Sequence, residues 1–87
     1  YEEDVLPISE HTYLIDAGKT IVETNEELEI DLPEGEYQTV AGLILQQLGR
    51  IPKSEEVVEI DNVRLTVKSV IGVRLDKVQI RILPVTE

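Results

Sequence analysis

Hydrophobic positions along the chain follow two regimes, helical spacing before Pro52 and alternation after it. Between Tyr37 and Pro52 (Y-Q-T-V-A-G-L-I-L-Q-Q-L-G-R-I-P), the apolar residues Val40, Ala41, Leu43, Ile44, Leu45 and Leu48 recur at the period of a helix. Thr39 is the kind of residue that caps a helix N-terminus, and Gly49 the kind that closes a C-terminus. At about 100° per residue the apolar positions sweep roughly 200° of surface, so this main helix is expected to be largely buried. Gly42 falls on the narrow remaining face with Gln46, where a glycine costs ~1 kcal/mol relative to alanine. Either something approaches the helix closely there, or a core helix simply tolerates the glycine.

Beyond Pro52, Val58 and Ile60 lead into Asp61-Asn62, and Val63, Leu65 and Val67 leave it. This predicts a hairpin with Ile60 opposite Val63 and Val58 opposite Leu65, which sets Glu59 beside Arg64 on the outer face. Gly72 breaks the run, and Val78, Ile80 and Ile82 alternate with Gln79, Arg81 and Leu83 in a last strand. A three-stranded meander with one apolar face needs a cover, and the main helix must supply it. The outer face carries Arg64, Lys68 and Arg81, with Arg74 and Lys77 near the last turn. Such a face is solvated by default, or else meets an acidic partner or another subunit.

Upstream of the main helix the signals are shorter. Residues 1–10 (Y-E-E-D-V-L-P-I-S-E) read as an acidic linker that docks through Val5, Leu6 and Ile8, ahead of a single domain over 11–87. Thr12 to Ala17 reads as a strand ended by Gly18, and Thr20 to Glu23 as a second extended piece. Thr24-Asn25-Glu26-Glu27 fits a capping box opening a short helix to about Ile30, with Leu28 inward, and Pro33-Glu34-Gly35 is a turn. The expected class is α+β, a small antiparallel sheet with a C-terminal three-stranded meander covered by one main and one short helix.

Composition narrows the chemistry. The 87 residues make one domain with a small core. With no cysteine and only His11, disulfides, thiolate ligands and multi-histidine zinc sites are excluded, and an intracellular setting is the natural inference. No apolar run approaches the ~20 residues that cross a bilayer. The net charge of −10 divides into −11 over residues 1–49 and +1 over residues 50–87, a balance that repels phosphate backbones and argues against nucleic acid as partner. Glu2, Glu3 and Asp4 are acids with nothing to fix them around a cation, and His11 lacks an arranged nucleophile or acid. No phosphate-binding glycine loop, nucleophile elbow or metalloprotease helix is present. The chain is read as not an enzyme, with no catalytic or metal residue and no assignable cofactor residue.

With these residues laid out, the chain resembles the CorC/HlyC transporter-associated domain, a C-terminal module of magnesium and cobalt efflux proteins and hemolysin-like membrane proteins. Tyr13-Leu14-Ile15-Asp16-Ala17-Gly18 resembles the family's opening strand. Tyr37, Thr39, Ala41, Gly42 and Leu43, followed by Leu48-Gly49-Arg50-Ile51-Pro52, resemble its signature Y-x-T-x-A-G-L and L-G-x-I-P. The resemblance implies an α+β module that follows a pair of regulatory domains on a membrane-embedded transport domain and modulates ion transport from the cytoplasmic side. Separately, the small core favours extra burial through association, so a homodimer is expected. The module's likeness to part of flavin-binding domains implies an alternative, binding of flavin adenine dinucleotide or an adenine nucleotide, with Gly42 and Gly49 permitting close approach. A third reading has Asp31, Glu34 and Glu36 sensing a divalent cation.

Overall fold

Val5 is the first residue of a strand, not of a linker. A computed structural model describes residues 5–83 of the chain, in the order β1 (Val5–Ser9), β2 (Thr12–Asp16), α1 (Ile21–Leu28), α2 (Val40–Leu48), β3 (Val57–Ile60), β4 (Val63–Ile71) and β5 (Arg74–Ile82). The strands form one five-stranded antiparallel sheet in the order β1-β2-β5-β4-β3. The expected meander is therefore the β3-β4-β5 half of a larger sheet, extended on its β5 side. Part of the expected linker is the edge strand β1. Val5 is buried there, while Leu6 and Ile8 point away from the core and stay exposed. Pro7 suits an edge, where a missing N–H costs no ladder bond. Glu2, Glu3 and Asp4 lie outside the described residues.

The hairpin register is the one the alternation dictates, with Val58 opposite Leu65, Ile60 opposite Val63 and Glu59 opposite Arg64. Further along β4 the alternation slips at Lys68-Ser69, and the β4–β5 ladder shifts register there. The slip turns Val70 toward the core after Val63, Leu65 and Val67, and Leu75 follows on β5. A bulge is the means by which a strand changes the parity of its inward residues. Ile15 and Ala17 join these residues in one cluster with Ile21 and Leu28 of α1 and Val40, Leu43 and Ile44 of α2. Both helices thus serve one side of the sheet, and among the described residues the other side carries none.

Three further expectations are corrected. The short helix begins a turn earlier than the capping box at Thr24 predicts. Thr20 is the N-cap, its Oγ1 accepting from the Glu23 N–H at 3.1 Å and donating to Glu23 Oε1 at 2.9 Å, so the cap and its glutamate partner are Thr20 and Glu23. Thr24 is fully buried and donates to the Thr20 carbonyl at 2.7 Å. The stretch Thr20 to Glu23 is therefore a cap and first turn, not an extended piece. The main helix is also less enclosed than its wide apolar stripe implies: Val40, Leu43 and Ile44 are buried, whereas Ala41, Leu45 and Leu48 are only partly covered.

Candidate functional site

The family-like signature is explained by how the start of α2 is built. Thr39 caps the helix, its Oγ1 accepting from the Gly42 N–H at 3.1 Å. Tyr37 lies against the same turn: a Cβ on residue 42 would fall 2.7 Å from the Tyr37 Cβ, and one on Gly35 would fall 2.8 Å from the Tyr37 ring. The Tyr37 hydroxyl donates to the Pro33 carbonyl at 2.7 Å and fixes the ring over the turn. Something does approach the helix at Gly42, and it is the chain's own tyrosine.

The two helix N-termini close one another. Thr20 and Thr39, the two caps, form an antiparallel bridge. The Ile21 N–H donates to Gln38 O at 2.9 Å, Val40 N–H to Lys19 O at 3.0 Å, and Ala41 N–H to Ala17 O at 2.9 Å. First-turn amides left open by a helix are what bind phosphate, and here the chain's own oxygens take those of Ile21, Glu23, Val40, Ala41 and Gly42. Two depressions flank this junction. One, of about 390 Å³, is lined by Val22, Glu34 and Tyr37 among others. The second, of about 300 Å³, includes Asp16, Arg74 and Asp76, but its acids are engaged. Asp16 Oδ1 accepts from the Gly18 N–H at 2.8 Å, and Asp76 Oδ2 accepts from Ser69 Oγ at 3.0 Å.

Charge is placed with equal economy. Lys19, the one base of the acidic half, is buried and donates to Glu27 Oε1 at 2.9 Å, tying the β2–α1 connection to the last turn of α1. Asn25 reaches across seven residues, donating to the Leu32 carbonyl at 3.1 Å and accepting from the Leu32 N–H at 2.8 Å. After α2, Gly49 takes the left-handed conformation that ends the helix, and Arg50 donates to both carboxylate oxygens of Glu56. The Arg50 hydrogen bond, followed by one from the Lys53 N–H at 2.7 Å, lowers the Glu56 carboxyl to about 2. Sequence reasoning missed the Lys19–Glu27 and Asn25–Leu32 links; a lone lysine amid acids and an asparagine ahead of a proline turn were their only traces.

The remaining candidates fall apart spatially or stay at the surface. Asp31, Glu34 and Glu36 are exposed, and among the described residues no three acids or imidazoles gather as a metal site. His11 sits exposed in the β1–β2 turn, 3.4 Å from Glu10 Oε1. No helix among the described residues is long and apolar enough to cross a membrane.

A family model described as a transporter associated domain, CorC_HlyC, matches residues 7–84. The magnesium and cobalt efflux protein CorC of Pasteurella multocida is 32% identical over 84 residues, 93% of this chain and 27% of that protein. The polyamine export protein of Escherichia coli is 36% identical over 76 residues, 74% of this chain and 17% of that protein. The chain thus spans about a quarter or less of the length of these relatives. The crystal structure of a hemolysin domain from Enterococcus faecalis superposes with a TM-score of 0.88 at 27% identity, covering 94% of this chain and all of that one. The signature around Tyr37, Thr39 and Gly42, the five-stranded sheet and these matches agree, and the chain belongs to the CorC/HlyC family of transporter associated domains.

Proposed function

We propose that this chain is a non-catalytic regulatory and interaction module of a membrane ion transporter of the magnesium and cobalt efflux type, acting from the cytoplasmic side. The observation that carries the reading is a domain with its own core that spans only 27% and 17% of relatives named for export. Those relatives are named for different cargo, metal ions in one and polyamines in the other, which favours a module that adjusts transport without selecting what is carried. Its partners are then the regulatory domain pair and the membrane domain of the same protein. The direct test is binding in trans: the purified chain, added to the transporter lacking residues 7–84, associates with it. Absence of association at high protein concentration removes the reading.

Self-pairing as a homodimer belongs to the same proposal, because a small domain gains burial by association. Light scattering of the isolated chain tests it, and a strict monomer at high concentration excludes it. Flavin or adenine-nucleotide binding has weaker footing, since five of the six first-turn amides of the two helices, those of Ile21, Glu23, Val40, Ala41 and Gly42, already donate within the chain. Calorimetric titration with flavin adenine dinucleotide and ATP is expected to give no heat.

A further inference from the structure

We propose that the helix-free face of the sheet docks an acidic protein segment, with Arg81 and Arg64 as its anchors. The proposal rests on the interaction-module reading above and names the surface and the partner's chemistry.

The register places residues on this face in transverse rows. Leu6, Leu14, Gln79, Thr66 and Val57 line up across all five strands, an uncharged row with apolar side chains at its ends. Thr12, Arg81, Arg64 and Glu59 form the next row, so Arg81 and Arg64 stand directly opposite one another on neighbouring strands. Like charges in facing positions destabilise a sheet. Arg64 relieves its half by donating to Glu59 Oε2 at 2.8 Å, but no acid among the described residues pairs with Arg81. Lys77 and Lys68 add positive charge on the same face, with Asp16 at 3.6 Å from one and Glu55 at 3.0 Å from the other.

This patch belongs to a protein of net charge −10. A guanidinium with no acid partner among the described residues, beside a second guanidinium, is therefore a local departure from the molecule's charge, and a carboxylate is its complement, since the guanidinium fork matches carboxylate geometry bidentately. The body's negative field disfavours extended polyanions such as nucleic acid or an anionic bilayer, which expose phosphate well beyond the patch. A second copy in mirrored register sets Arg81 against Arg64 and adds repulsion. Spaced carboxylates meet Arg81 and Arg64, and an apolar side chain meets the Leu6–Leu14 end of the neutral row.

Short poly-glutamate peptide is the probe, titrated into the isotopically labelled 87-residue chain and followed by nuclear magnetic resonance. Shifts concentrated at Thr12, Arg64, Gln79 and Arg81 and lost in high salt are expected. Arg81→Gln and Gln46→Glu each make the net charge one unit more negative, but only Arg81→Gln is expected to weaken binding, by about twofold to fivefold, the scale of one exposed ion pair. Equal weakening by both variants overturns the proposal, as do absent shifts or shifts centred on the helices. Tighter binding of single-stranded DNA or phosphatidylserine vesicles to the same face also overturns it, as does a homodimer that covers Arg81. If the chain fails to bind its transporter in trans yet shows the Arg81-dependent shifts, the functional reading falls and this surface stands; the converse result removes the surface alone.

Discussion

Tyr37 packs so closely on Gly42 that an added Cβ would come within 2.7 Å of the tyrosine's own Cβ. The neighbouring atom is the root of a side chain held at both ends, by the backbone below and by the hydroxyl bond to Pro33 above. It cannot swing aside.

Gly42→Ala therefore reverses the usual rule that alanine stabilises a helix interior. Denaturant unfolding is expected to show a loss of about 1–3 kcal/mol, the cost of overpacking. Gly49→Ala is expected to cost about 1 kcal/mol for a different reason, because φ is +71° and a Cβ meets no atom within 4 Å. Pairing Gly42→Ala with Tyr37→Gly tests the contact itself: with the residue 37 Cβ gone, the added cost of Gly42→Ala is expected to fall in the double variant.

Asn25 replaces a strand partner for Leu32, supplying both a donor and an acceptor to its backbone. Asn25→Ala leaves both groups unsatisfied beside the buried Leu32 side chain. A loss of about 2–3 kcal/mol is expected in urea unfolding, with Asn25→Asp intermediate because it keeps the acceptor.

Two glutamates one residue apart on α1 are expected to behave differently. Glu27 accepts from the buried Lys19 ammonium, whereas Glu26 is exposed. Glu27→Gln is expected to lower stability by about 1–3 kcal/mol and Glu26→Gln to change it by less than about 0.5 kcal/mol. Thermal unfolding of the two variants side by side reads the contrast.

The Arg50–Glu56 clamp makes stability depend on pH with a definite sign. The Glu56 carboxyl is lowered from 4.5 to about 2, first by the hydrogen bond from Arg50. A carboxyl whose pKa falls on folding stabilises above its unfolded value and loses that contribution as pH drops through its folded value. The stability advantage of the wild type over Glu56→Gln is expected to be full above about pH 4.5 and to vanish as pH nears 2. An advantage constant across that range contradicts the clamp.

How far the sequence spoke for itself differs by element. α2 was legible because Thr39, Gly49 and the apolar positions between them agree on one helix. The β3–β4 hairpin was legible because alternation and a two-residue turn allow only one register. α1 was misplaced by a turn since Thr20/Glu23 and Thr24/Glu27 both fit the box, and only burial shows that the Thr24 hydroxyl faces inward to the Thr20 carbonyl. β1 was hidden because an edge strand with Pro7 buries just Val5 and otherwise looks like a solvated segment. The facing of Arg64 and Arg81 depended on the long-range β4–β5 register, which no local pattern fixes.

If this module adjusts a transporter without performing its chemistry, as proposed, the initial rate of magnesium efflux against internal magnesium is the decisive readout. The transporter carrying this domain is compared with one lacking residues 7–84, at equal membrane abundance. Efflux that persists but depends differently on internal magnesium is the predicted result. Superimposable rate curves for the two proteins contradict the claim.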